Sequence, residues 1–234
     1  MELSGARLLG ADATGAPGGA ITAEPADRGA RVALAGRDRG SLAHTARAYP
    51  GAPTAGFDAY DPGSCARAVH EAAAALQGLD VVAFGSVAFG AAEEIGGEAA
   101  EHLMAVNHLA PAVFSRAVLG ILRSGSAIAA VTGASAECPQ PRMADHSASR
   151  AALVTWLDAV RREARSAGVA VLEIRPGHLD TGFATRPVAG TAPPLPEGGD
   201  PRHVAGAVAD APETGAELLR PSPGKSPVLE RRAR

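Results

Sequence analysis

Short apolar runs containing β-branched residues alternate with alanine-rich stretches of helical length along most of the chain. Arg7–Gly10, Arg31–Ala35, Pro53–Phe57, Asp80–Phe84, Ala127–Thr132 and Val169–Ile174 read as short buried strands. Gly18–Arg28, Ser41–Ala48, Ser64–Leu76, Glu98–Leu122 and Ser147–Ala167 read as helices. A strand that re-enters a sheet through a helical crossover does so parallel to its predecessor and right-handed. The expected fold class is therefore α/β: a doubly wound, mainly parallel sheet with helices on both faces. Ligands of such sheets bind beyond the carboxyl ends of the strands, so the residues just after each strand are the ones to inspect.

The length of 234 residues suits a single domain. That domain is expected to run over residues 1–220, with a Gly/Pro-rich stretch from Phe183 to Pro201 as a lid loop and residues 221–234 as a flexible tail. Arg202–Asp210 reads as a further helix and Ala216–Leu219 as a final strand. A net charge of −3 gives no basic footprint for nucleic acid or an anionic membrane. No apolar run approaches membrane-spanning length, and Met1-Glu2-Leu3-Ser4 does not open a secretory leader. Cys65 and Cys138 are too few for a disulfide framework or a zinc site, so the expected compartment is the cytoplasm. No HExxH, P-loop or metal-ligand constellation is present, and no metal is expected. Lys225 is the only lysine, and Tyr49 and Tyr60 are the only tyrosines. A mechanism built on a Tyr–Lys pair in the body of the fold is thereby excluded.

The run Leu8-Leu9-Gly10-Ala11-Asp12-Ala13-Thr14-Gly15-Ala16-Pro17-Gly18-Gly19-Ala20-Ile21, followed by Arg28-Gly29-Ala30-Arg31-Val32-Ala33-Leu34-Ala35-Gly36-Arg37-Asp38, resembles the start of a short-chain dehydrogenase/reductase. The resemblance continues through Phe57-Asp58, Leu79-Asp80-Val81-Val82, Val106-Asn107, Ser147-Ala148-Ser149 and Pro176-Gly177-His178-Leu179-Asp180-Thr181. It implies a Rossmann-type domain, an NADP(H) site and a cleft for a small-molecule substrate. In the family's TGxxxGxG loop, backbone N–H groups and a helix N-terminus receive the cofactor diphosphate. Counting back from Gly29-Ala30 puts the last motif glycine at Gly18, the middle one at Ala16, the first at Asp12 and the threonine at Ala11. A carboxylate at Asp12, 4–5 Å from a phosphate, costs roughly 3–4 kcal/mol at an effective dielectric near 20; capping of the following helix or of a turn is the alternative role for it. Pro25 falls inside that helix. Arg37 matches the position that recognises the 2′-phosphate of NADP, Asp58 the aspartate beside the adenine and Thr181 a residue near the nicotinamide. Ala83-Phe84-Gly85-Ser86 replaces the family's NNAG stretch.

The resemblance also assigns the catalytic positions. Asn107 aligns with the family asparagine, Gly133 with the serine (Thr132 being the neighbouring hydroxyl), His146 with the tyrosine and Arg150 with the lysine. His146 and Arg150 are four apart and share a helix face. A histidine near its ordinary pKa is a competent general acid or base, and a neighbouring guanidinium favours its neutral form. Arg150 can bind an anion but cannot join a proton relay.

Three functions stay open. The chain is a catalytically silent family member serving as a partner subunit in a biosynthetic system, which is the favoured reading and carries no or weak NADP(H). Alternatively it is a cofactor-independent enzyme with His146 as base and Arg150, Asn107 and Thr132 around an oxyanion. In the third reading it is a residual NADP-dependent ketoreductase. Glu98–Leu122 and Ser147–Ala167, with Trp156 among small residues, match the helices through which relatives associate, so a homo-oligomer or a hetero-oligomer with a related chain is expected.

Overall fold

A computed structural model describes residues 2–77, 89–222 and 225–231. Strands β1 (Arg7–Ala11), β2 (Arg31–Gly36) and β3 (Thr54–Gly56) pair in parallel in the order β1-β2-β3. Strands β4 (Ala127–Val131), β5 (Ala170–Ile174), β6 (Leu218–Ser222) and β7 (Lys225–Glu230) form a second run in which only the β6–β7 pair is antiparallel. The expected strand Asp80–Phe84 lies outside the described residues, as does the Ala83–Ser86 stretch.

Alternation along the strands builds a core on each face. Leu9, Ala33, Ala35 and Ile128 pack with helices α3 (Pro62–Leu76) and α5 (Ala110–Leu119). Their neighbours Leu8, Val32, Leu34 and Ala129 pack on the other face with α1 (Ala16–Asp27), α2 (Arg39–Ala46) and α7 (Pro201–Thr214). Helix α6 (Ala144–Ala164) lays Leu153, Leu157 and Val160 against Ala130 and Val171. Strands buried on both sides read as continuous apolar runs, which is why they are visible in the sequence.

Two elements differ from expectation. Residues 225–230, read as tail, form β7, because Leu229 pairs opposite Leu219 and Glu230 opposite Leu218. The helix expected over Glu98–Leu122 is α4 (Gly97–Met104), a π-helical segment (Ala105–Leu109) and α5. The π segment falls on Asn107, and such bulges re-aim side chains inside a helix. Helix α1 runs through Pro25, at a position where proline removes the hydrogen bond to residue 21.

The Phe183–Pro201 stretch is held down as a loop with one short 3-10 turn, Phe183–Thr185. Phe89 N–H donates to Ala189 O at 3.1 Å, and Gly199 N–H donates to His178 O at 2.9 Å. Phe89 and Met143 form a small core beneath Phe183, Ala192 and Leu195. Gly190 has φ +71°, and a Cβ there would collide with the Phe89 carbonyl.

Candidate functional site

The carboxyl ends of β1, β2 and β4 converge on the glycine-rich loop. Asp12 follows β1 with φ +62°, a left-handed conformation that glycine adopts without strain. A Cβ built on Gly15 would lie 2.5 Å from Asp12 Oδ2, so the carboxylate rests over the residue that caps α1. The N-cap residue of α1 is Gly15, so Asp12 does not cap that helix. Gly18 lies so close to the Asp12 carbonyl that a side chain there would collide with it. Burial pushes the Asp12 carboxyl up to about 6, against the pull of Arg37 and Arg150. Arg37 is exposed just after β2. Asp58, after β3, accepts the Tyr60 amide at 2.9 Å.

The second half of the site sits on the π segment and α6. Asn107 Nδ2 donates to Ser149 Oγ at 3.0 Å, and Ser149 Oγ donates to the His146 carbonyl at 2.8 Å. Arg150, 4% exposed, donates from Nη1 to Val131 O at 2.8 Å. Its pKa is lowered to about 10 by burial, partly offset by Asp12, and it remains charged at neutral pH. His146 is 5% exposed, its Nδ1 has no hydrogen-bond partner, and the Phe183 ring stands edge-on at 6.4 Å. Burial first, and the Arg150 charge second, lower its pKa to about 3. The ordinary imidazole pKa expected from the sequence does not hold, because the helix spacing that pairs His146 with Arg150 does not signal how deeply the ring is enclosed. Burial penalises the cationic form.

Thr132 is turned away from this group. Its Oγ1 donates to Glu173 Oε1 at 2.8 Å, and Glu173 is fully buried against the Arg175 guanidinium. Arg175 and Arg220 both reach Glu137 Oε2, at 2.9 and 2.8 Å. Thr181, after β5, is part-buried and bonded locally to Leu179. Asp12, Arg37 and Arg150 are thus coupled through charge, and Asn107 and His146 through Ser149. Asp58 and Thr181 have local partners, and Thr132 is bonded across to β5.

The residue pattern matches the short chain dehydrogenase family model over residues 12–190. The chain belongs to the short-chain dehydrogenase family. Among curated proteins, none matches it. A dehydrogenase/reductase from Sinorhizobium meliloti superposes with TM-score 0.77 at 26% identity, covering 90% of each chain. A short-chain dehydrogenase from Burkholderia cenocepacia, solved in complex with NADP, gives 0.79 at 25%, covering 91% of this chain and 92% of that one. One from Streptomyces avermitilis gives 0.81 at 23%, covering 94% and 88%. At that identity the last match speaks for the fold alone.

Within this family member, sequence reasoning passed over Ser149, Glu173 and Phe183. Glu173 was detectable, being a carboxylate in the buried run Val169–Ile174 with Arg175 on the same strand face. Phe183 was not, because its contact with His146 forms only in the fold. Tyr60 and His102 were also unlinked in sequence, yet Tyr60 Oη and His102 Nδ1 share a hydrogen bond of 2.6 Å. Among the described residues no cluster of His, Cys, Asp and Glu could hold a metal ion, and no helix is long and apolar enough to cross a membrane.

Proposed function

We propose that this chain is a catalytically silent short-chain dehydrogenase that serves as a subunit of an assembly, with itself or with a related chain, in a biosynthetic system. The observation that carries this reading is the state of His146: sealed under Phe183, without a partner at Nδ1 and neutral at physiological pH. A neutral imidazole of such low basicity neither delivers a proton to a carbonyl nor removes one from a weak acid. Arg150 donates to the Val131 carbonyl, Asn107 to Ser149 and Thr132 to Glu173, so each of the three oxyanion donors of a cofactor-free enzyme already has a partner within the fold.

The family implies a dinucleotide cofactor, and the two ends of its site differ. Arg37 and Asp58, both exposed after β2 and β3, suit an adenosine 2′-phosphate. The diphosphate end does not fit, because the Asp12 carboxylate rests over the cap of α1. No chemical step is therefore derived through NADP(H). What supports a subunit role is the outer side of the helices. Met104 and Leu109 are exposed on α4 and the π segment, and a cavity of about 120 Å³ lies between Tyr60, Leu109 and Val113. On α6, Thr155 and Ala159 face outward beside Trp156, whose ring carries the Arg116 guanidinium at 5.8 Å.

A second reading, residual NADP-dependent carbonyl reduction, is favoured by Arg37 and by the Burkholderia cenocepacia relative in complex with NADP. Calorimetric titration with NADPH and NADH at pH 7.5 separates the two. Binding weaker than millimolar agrees with the silent subunit, and micromolar NADPH affinity overturns it. Sedimentation at micromolar chain concentration, with Trp156→Arg as the control, tests self-association. A monomer unaffected by the substitution leaves only assembly with a related chain.

A further inference from the structure

Charge, rather than shape, separates the two ends of the cofactor site. The glycine loop keeps the left-handed turn at Asp12 and the tight contact of Gly18 with the Asp12 backbone, so its path is that of a phosphate-binding loop. The obstacle is one carboxylate. It sits between α1, the β2–α2 turn and α6, and each supplies its charged groups as follows. The first turn of α1 has no acidic side chain and its last turn no basic one. After β2 stand Arg37 and Asp38, the latter committed to the Ser41 amide at 2.7 Å. From α6 come Arg150 and His146, and from α4 comes His102, which burial first and the Arg37 charge second hold below its ordinary pKa. Both histidines are neutral at pH 7.5. Arg37 and Arg150 are the two cations that act on Asp12.

We propose that Asp12 is a protonation-controlled block of the phosphate cradle: ionised, its carboxylate sets a negative charge over the cap of α1 where a diphosphate would dock, and neutral, it removes that charge from the docking position. This rests on the silent-subunit reading, which describes the chain at neutral pH, and adds that the nucleotide site is conditional rather than lost. The half-buried carboxyl titrates near 6, within reach of mildly acidic conditions. Affinity that depends on a competent fraction scales with that fraction. At pH 7.5 about 3% of the carboxyl is neutral and at pH 5 about 90%, so affinity rises about thirtyfold between them.

The test titrates NADP+ into the wild-type chain and into Asp12→Asn at pH 7.5 and pH 5, by calorimetry. Asparagine has the same shape, tolerates the left-handed backbone and cannot ionise. The variant also subtracts the titration of the ligand's own 2′-phosphate, which falls near pH 6. The expected result is an Asp12→Asn affinity at least tenfold above wild type at pH 7.5, with the gap closing to under threefold at pH 5. Equal affinities at pH 7.5, a wild-type affinity that follows the variant's at both pH values, or no binding in any arm overturns the gate. The wild-type affinity at pH 7.5 tests the silent-subunit reading separately. Micromolar binding there with the gap preserved sinks that reading and leaves the gate standing. Weak binding without a gap does the reverse. Should the variant not fold, a wild-type pH series with NAD+, which has no 2′-phosphate to titrate, decides alone, a flat profile overturning the proposal.

Discussion

Asn107 and Ser149 are joined by a 3.0 Å hydrogen bond between the π segment and α6. This bond couples the position that the family gives to its asparagine with the helix that carries His146 and Arg150. Both groups are fully buried. Ser149→Ala removes the acceptor for one amide hydrogen and the donor to the His146 carbonyl. We expect a loss of about 1–3 kcal/mol in urea unfolding, the cost of a stranded buried donor. Ser149→Thr, which keeps the hydroxyl, should recover most of it.

His146→Phe reports whether the imidazole is kept for chemistry or merely enclosed. The substitution removes a buried nitrogen that has no partner and adds a ring beside Phe183. Stability at pH 7.5 should be unchanged or higher by about 1 kcal/mol. A loss of more than about 2 kcal/mol would show that the ring makes a polar contact that the fold depends on.

The same residue sets an acid limit. In the unfolded chain His146 takes up a proton near 6.5, whereas in the fold it does so only near 3. Its contribution is therefore present above pH 6.5 and is lost as pH falls from 6.5 towards 3, by at most about 5 kcal/mol. Chemical denaturation across that window should show a steep decline in the wild-type chain and a shallower one in His146→Phe.

Asp12 acts with the opposite sign. Its carboxyl is raised in the fold, so its contribution is present below pH 4 and is lost as pH rises through about 6. Asp12 is only partly shielded from water, so we expect about 1–2 kcal/mol. Asp12→Asn should accordingly unfold at higher urea than wild type at pH 7.5 and at the same urea near pH 4.

Gly190→Ala should free the loop over the site. The new methyl meets the Phe89 carbonyl, and the positive φ disfavours any side chain. Limited proteolysis within residues 183–201 should become faster by tenfold or more, while the β4–β5 core keeps its protection from hydrogen exchange.

The parts of the fold legible in sequence are those whose partners impose a pattern on every residue. Ala33 and Val32 face opposite cores, and so do Leu9 and Leu8, which makes β1 and β2 apolar throughout. Strand β7 was illegible because Lys225-Ser226-Pro227 has little strand propensity of its own; the segment is ordered by pairing with β6. In the site, position along the motif located Asp12 and Gly18, since the backbone there is dictated by the loop. Thr132 shows where such reasoning stops. Its hydroxyl is committed to Glu173, a residue 41 positions away, and no local spacing encodes that choice. Burial of His146 under Phe183 is likewise a property of the assembled loop and not of the helix on which the histidine stands.

Strand β7 also governs how copies of this chain can meet. It pairs antiparallel at the rim of its sheet, carries Pro227 with no amide to offer, and slips register between Arg220 and Ser222. A rim so interrupted gives an incoming strand no unbroken ladder to extend. Edge-to-edge extension of the sheet through β7 is thereby disfavoured.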